Sequence, residues 1–265
     1  MRYKDKVTIV TGGSKGIGAG CVKVFVEEGG SKVVFCSRNE KEGKAFEAEV
    51  NQRNSQGPGQ AVFMRADVSK VEDVRHVVEA TVERFGRLDC LVNNAGWHPP
   101  HKTIDEFSVE DFRSLLDLNL VSIFAACKFA LPHLRKTKGN IINMSSLVGI
   151  MGQAGAATYV ATKGGITSLT KALAVDEAAH EVRVNSVSPG NIYTPLWQEA
   201  IDAAPDPAKC RADGDAAQLL GRMGTIEESG RLCLFLAAEA TFTTGVDHIQ
   251  SGGAELAYGR KTRRG

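Results

Sequence analysis

The sequence predicts an α/β protein built as one doubly wound domain, with a central parallel sheet of about seven strands and helices on both faces. Seven short, almost continuously apolar runs recur along the 265 residues, and between them lie longer segments whose apolar residues repeat at helical spacing. Strands buried on both faces read as continuous apolar runs, and strands joined by crossover helices run parallel. The first run also ends in a glycine-rich turn, TGGSKGIG, that opens the first helical segment. That order, strand then glycine turn then helix, points to a sheet of the Rossmann type.

The elements follow in order. KVTIV (6–10) is the first strand, and GAGCVKVFVEEG (18–29) the helix after it. KVVFC (32–36) and KEGKAFEAEVNQ (41–52) make the second pair, closed by the Gly- and Pro-bearing surface loop RNSQGPGQ. AVFMRA (61–66) leads to VEDVRHVVEATVERFG (71–86), and LDCLV (88–92) to one long helix, FRSLLDLNLVSIFAACKFALPHLRK (112–136). GNIINM (139–144) precedes the helix YVATKGGITSLTKALAVDEA, and VRVNSV (182–187) and GVDHI (245–249) are the last strands. The stretch from Ser188 to Gly224 reads as irregular, and about 190–222 is expected to be a substrate lid, because loops of that length are commonly functional. The tail, 255–265, ends in basic GRKTRRG and reads as a solvated end. Nothing resembles a linker or a repeat, so residues 1–265 form a single catalytic domain.

A formal net charge of +1 leaves no electrostatic footprint for nucleic acid or an anionic membrane. No stretch reads as long and apolar enough to span a bilayer, and MRYKDKVTIV enters the first strand without a signal sequence, so a cytosolic protein with a small-molecule substrate is expected. The six cysteines are scattered without a C-x-x-C pair. They are expected to be reduced, with neither a disulfide framework nor a metal site.

The glycine turn would let a backbone approach a pyrophosphate, with Gly12, Gly16 and Gly18 at the mouth of a helix N-terminus. LVNNAG (91–96) closes the fourth strand at the edge where ligands of open α/β sheets bind, which places Asn93 and Gly96 there. Further along, Tyr159 and Lys163 stand at i and i+4, so an ammonium could favour the ionised phenol. Alone, that pair is equally a core tyrosine beside a solvated lysine.

TGGSKGIG, NNAG, Asn119 in LDLNLV, Ser146 in NMSSLVG, YVATK and SPGNIYT, in that order, resemble the short-chain dehydrogenase/reductase family over nearly the whole chain. The resemblance implies hydride transfer between a nicotinamide cofactor and a secondary alcohol or ketone. Tyr159 would be the acid/base, its phenol lowered by Lys163 together with an oxidised nicotinamide. Lys163 would also hold the cofactor ribose, Ser146 would orient the substrate oxygen, and Asn119 would hold a relay water. Around the cofactor it implies Gly12, Lys15, Gly16, Ile17 and Gly18 in the turn, and Asp67 and Val68 at the adenine. Asn94, Ala95 and Gly96 would follow, with Pro189, Gly190, Ile192 and Thr194 beside the nicotinamide. Asp67 could equally cap a turn. A homotetramer is also implied, and the long apolar helices around 112–131 and 158–174 agree with it.

NNAGWHPP, SSLVGIMGQA, SPGNIYTPLW and SGGAELAYG resemble family members acting on 17β-hydroxysteroids or on aldoses such as L-fucose. His98, Gln153 and Trp197 would meet the substrate, as would Tyr258 reaching in from a neighbouring subunit. An apolar, aromatic cleft suits a steroid, whereas His98 and Gln153 could pair with sugar hydroxyls. Trp97 departs from this group, which carries a second histidine there. A general carbonyl or 3-oxoacyl reductase and a catalytically silent dinucleotide-binding protein are the alternatives. At the end of the second strand, where NAD users place an acid on the ribose 2′-hydroxyl, stand Ser37 and Arg38. Without a carboxylate to repel a 2′-phosphate, and with Arg38 and Lys15 to pair with one, NADP(H) is favoured over NAD(H).

Overall fold

The computed structural model describes residues 1–256. Its seven strands are β1 (Val7–Thr11), β2 (Lys32–Ser37), β3 (Gln60–Arg65), β4 (Cys90–Asn93), β5 (Asn140–Met144), β6 (Arg183–Pro189) and β7 (Asp247–Gln250). They form one sheet in the order β3-β2-β1-β4-β5-β6-β7, every neighbouring pair parallel. The order reverses between β1 and β4, which opens the crevice where such sheets bind ligands.

The period-two alternation of β1 to β6 feeds two cores. Val10, Val33, Phe35 and Val92 face α1 (Gly16–Val24), while Ile9, Val34, Cys36 and Leu91 face the opposite side. On the first side also lies α2 (Glu40–Arg53), whose N-cap Asn39 accepts from the Glu42 N–H. α3 (Val71–Phe85) packs on the second side through Val74, Val77 and Val78.

The helix expected over 112–136 is three pieces: α4 (Val109–Leu116), a π-helical turn (Asp117–Val121) and α5 (Ser122–Thr137). Ser108 caps α4 in a reciprocal box with Asp111. Together the pieces are long and apolar enough, at a mean hydropathy of 1.6, to cross a membrane, which corrects the reading that no stretch is. Half of that apolar window is buried, with Ile123, Ala126 and Leu134 spent on the second core.

Beyond β5 come α6 (Val148–Met151) and α7 (Ala157–Glu177). The segment read as irregular contains two helices, α8 (Pro195–Asp202) and α9 (Pro207–Ala216). Each starts on a capping side chain followed by proline at the first helical position. Thr194 accepts from the Trp197 N–H, and Asp206 accepts from the Lys209 N–H at 2.9 Å. α10 (Ile226–Ala238) follows under a Thr225–Glu228 capping box. It crosses α1 so closely that a Cβ on Gly20 would lie 2.1 Å from the Ile226 carbonyl oxygen.

Candidate active site

The crevice between β1 and β4 is held open by backbone polar groups. Thr11 Oγ1 accepts from the N–H groups of Asn94 (3.0 Å) and Ala95 (3.1 Å), and Asn94 Nδ2 donates to the carbonyls of Thr11 (3.0 Å) and Gly12 (3.1 Å). Asn94 thus locks the glycine turn to the end of β4. Gly12 has φ of +64°, and a Cβ there would fall 2.9 Å from the Ala95 Cα. On Gly18 a Cβ would sit 2.2 Å from the Gly12 carbonyl oxygen, so this turn admits hydrogen alone. Lys15 is the exposed N-cap of α1, Ile17 packs partly on the first core, and Gly16 lies beside Thr194.

At the end of β2, the Ser37 hydroxyl is buried without a partner, and Arg38 is exposed. Asp67, after β3, accepts from the Ser69 hydroxyl at 2.7 Å and from the Ser69 N–H at 3.1 Å. The Ser69 hydroxyl, with help from Arg38, holds the Asp67 carboxyl below its ordinary pKa. It therefore caps a turn, as the residue type allows, and Arg38 lies close enough to feel its charge. Val68 lines the apolar layer beneath with Ile9, Cys36 and Ala66.

These features fit a dinucleotide. The turn is a cradle that a single Cβ would fill, its helix N-terminus presents free N–H groups, and the orphaned Ser37 hydroxyl awaits a partner where a ribose would come.

The residues read as catalytic converge from three places: the π-helical turn, the segment after β5, and α7. Asn119 is fully buried in the π-helical turn, a form that recurs at functional sites. Its Oδ1 accepts from the Trp97 N–H (2.9 Å), and its Nδ2 donates to the Trp97 carbonyl (3.0 Å) and Thr162 Oγ1 (3.2 Å). The loop after β4 is thereby tied to α7. A Cβ on Gly96 would meet Asn119 Oδ1 at 3.2 Å and Lys163 Nζ at 3.6 Å, so these three residues adjoin. Ser146 follows β5, and the Leu147 N–H donates to the Pro189 carbonyl at 2.9 Å, bringing the end of β6 alongside. Gly190 packs on Ser251, and buried Ile192 bridges Gly224.

Tyr159 and Lys163 share one face of α7, the ammonium 5.6 Å from the phenol ring centroid. Lys163 is 4% exposed and donates to the Met144 carbonyl at 2.9 Å. Burial pushes it down to about 8. The sequence reading has Lys163 lower the phenol, but in the chain itself Tyr159 is pushed up to about 12. Burial outweighs the opposing hydrogen bond with Ser146, and the ammonium is turned to a backbone carbonyl.

The expected substrate residues separate into two groups. His98 lies against Tyr159, ring centroids 4.2 Å apart. His98 Nδ1 is 2.6 Å from the Pro99 carbonyl, which only accepts, so Nδ1 carries the hydrogen, and Nε2, 3.1 Å from Gln153 Oε1, becomes the acceptor of a hydrogen bond once the Gln153 amide is flipped to present its NH2. Gln153 in turn opens onto a cavity of about 620 Å³ walled by the 190–222 segment, with Trp197 inside it. Exposed Trp97 reaches the site through its backbone alone. Tyr258 lies outside the described residues.

Sequence reasoning missed Thr11 and Thr162, whose hydroxyls hold the crevice and Asn119. It also missed Asn191, Asp206, Lys209, Cys210 and Asp213 around the cavity. For these last four, the D-P dipeptide at 206–207 was a legible helix start.

Residues 6–204 match the family described as short chain dehydrogenase. The chain is 54% identical to the L-fucose dehydrogenase of Bos taurus, covering 98% of this chain and 93% of that one. Identity to the L-fucose dehydrogenase of Mus musculus is 51%, covering 99% and 93%. Among solved structures, Cj0485 dehydrogenase superposes with a TM-score of 0.88 at 30% identity, covering 96% of this chain and 95% of that one.

Proposed function

Since this chain belongs to the short-chain dehydrogenase family and is an oxidoreductase of that kind, we propose that it oxidises an aldose of the L-fucose type at a secondary alcohol, using NADP(H), in the cytosol. The observation that carries the reading is the cluster in which Tyr159 lies between the Ser146 hydroxyl and a buried ammonium, the ammonium adjoining Gly96 while the neighbouring Ala95 abuts Gly12 of the glycine cradle. A nicotinamide dinucleotide bound there accepts or donates the hydride.

The chain's own residues do the rest. Gly12, Lys15, Gly16, Ile17 and Gly18 hold the pyrophosphate, with Asp67 and Val68 at the adenine. Asn94, Ala95 and Gly96 line the crevice floor, and Pro189, Gly190, Ile192 and Thr194 flank the nicotinamide. Ser146 donates to the substrate oxygen and fixes its position. Tyr159 takes the hydroxyl proton in oxidation and returns it in reduction. Lys163 holds the ribose hydroxyls and adds the positive charge that favours phenolate. Asn119, fixed in place by Trp97 and Thr162, holds a relay water. His98, Gln153 and Trp197 receive the sugar, and the 190–222 segment serves as its lid.

NADP is preferred on local chemistry. β2 ends without a carboxylate, the Ser37 hydroxyl lacks a partner, and exposed Arg38 is close enough to Asp67 to feel its charge. A guanidinium–phosphate pair contributes about 1.5–3 kcal/mol, enough for about tenfold or more in cofactor discrimination. The test is a panel of L-fucose, other aldoses, a 17β-hydroxysteroid, small ketones and acyl thioesters, each run with both cofactors at the nicotinamide absorbance band. L-fucose with NADP is expected to give the highest kcat/KM. A tenfold preference for NAD would remove Ser37 and Arg38 from ribose recognition. Cofactor binding without turnover of any alcohol would leave a silent binding protein, and preference for small ketones or thioesters a general reductase.

The assembly proposed is a homotetramer. Val121 and Phe124 are exposed on the π-turn and α5, and Phe242 stands wholly in solvent before β7, an apolar display that a second copy would cover. Light scattering at micromolar concentration should give four times the chain mass, and a monomer there would sink the proposal.

A further inference from the structure

The open groove beyond Gln153 has the size of a ligand site, and beside its apolar wall of Trp197, Ala204, Pro205 and Cys210 it carries charged and amide side chains. Its polar walls are Gln153, Asn191, Asp206, Lys209 and Asp213, and its aromatic face is Trp197. The Trp197 ring abuts α9 so closely that a Cβ on Gly214 would lie 3.3 Å from it, so an aromatic ring and the charged side chains of α9 share one space. Lys209 and Asp213 stand at i and i+4 on α9 and form an ion pair, with side chains 68% and 67% exposed. Held in water, this pair costs little to keep, but covering it with a hydrocarbon skeleton would strip water from the donor and acceptor capacity that the two charges do not fill for each other. Each hydroxyl of a polyol donates once and accepts twice, which complements an ammonium that only donates and a carboxylate that only accepts.

The same cavity is joined to the chemistry by contact. Gln153 meets His98, and His98 lies on Tyr159, so a molecule presenting one carbon to Tyr159 extends past His98 and Gln153 towards α9. We infer that Lys209 and Asp213 of α9 are specificity-determining residues that read the distal hydroxyls of a polyhydroxylated substrate and turn away apolar ones. The inference rests on the aldose reading and adds to it a wall of the site formed by the lid itself.

The test compares the wild-type enzyme with the double variant Lys209→Leu, Asp213→Leu and with the conservative Asp213→Glu, on L-fucose and on a 17β-hydroxysteroid. Both leucines suit an exposed helix face, and equal melting temperatures check that the lid still folds. The double variant is expected to raise KM for L-fucose about tenfold with kcat within about twofold, since distal contacts that bind ground and transition states alike act on KM. Its kcat/KM for the steroid should hold or rise, and Asp213→Glu should recover most of the L-fucose KM. If the wild-type enzyme does not oxidise L-fucose or any other aldose, the substrate reading falls and this inference with it. If the wild-type enzyme oxidises L-fucose and the double variant keeps its KM within about twofold, the inference alone is overturned. Equal losses on both substrates overturn it too, because the pair would then support the lid and not the choice of substrate.

Discussion

Replacing Tyr159 with phenylalanine should lower turnover about a thousandfold or more while leaving cofactor affinity within about threefold. The substitution removes one oxygen and little else. The ring stays against His98 at its present 4.2 Å centroid separation, and Ser146 keeps its long contact with the Val148 N–H at 3.4 Å, so the site should hold its shape. What is lost is the group that exchanges a proton with the substrate oxygen, a contribution of about 10²–10⁴-fold for a positioned acid or base. The loss should fall on kcat and kcat/KM together, because proton transfer is realised in the transition state. Burial sharpens the expectation. A phenol pushed up to about 12 is a poor base by itself and depends on charge brought near it, so no neighbouring group can readily replace it. Steady-state kinetics together with cofactor titration by fluorescence decide the point. A variant within a few-fold of wild type would remove Tyr159 from the proton step.

The sheet was legible because its signal is local. Six of the seven strands are built around buried residues, the edge strand β7 being the partly exposed exception, and Val10 or Phe35 could not be mistaken for solvent-facing residues. The glycine turn was legible for a different reason: Gly12 and Gly18 stand where a side chain would strike backbone atoms, and only a turn of that kind needs them. Several elements escaped, α6 and α10 among them. α8 and α9 were hidden by the prolines in TPLW and DPAK, which suggest a loop when read as breakers and a helix start when read at the first helical position. The π-turn at Asn119 left no mark on the periodicity, since one extra residue per turn shifts the apolar stripe too little to see. Its existence is nonetheless what places the Asn119 amide against Trp97 and Thr162. The cavity charges were out of reach because Lys209 and Asp213 read as an ordinary solvated pair until α9 is folded over Gln153.

Lys163→Met should cost activity and not stability. The ammonium is buried and pushed down to about 8, below the ordinary lysine value of about 10.4. The sign follows from proton counting. Between about pH 8 and the ordinary lysine range, the unfolded chain keeps this proton and the folded chain gives it up, so stability rises with pH across that window. Below pH 8 both states are protonated and the penalty for burying the charge stands in full, on the order of a few kcal/mol for a shift of this size. Methionine fills nearly the same space without the charge, and leaving the Met144 carbonyl unpaired costs about 1–3 kcal/mol. The two effects oppose each other, and relief of desolvation is the larger or the equal. The melting temperature at pH 7 should therefore match or exceed that of the wild type, and its rise between pH 8 and 10 should flatten in the variant. Turnover should fall about a hundredfold or more, since no cation then stands under the Tyr159 ring to favour phenolate or to hold a ribose. Melting curves across that pH range, measured without cofactor, separate the two roles. A variant that melts several degrees below wild type at pH 7 would show that the bond to Met144 outweighs the buried charge, and that Lys163 serves the fold as well as the chemistry.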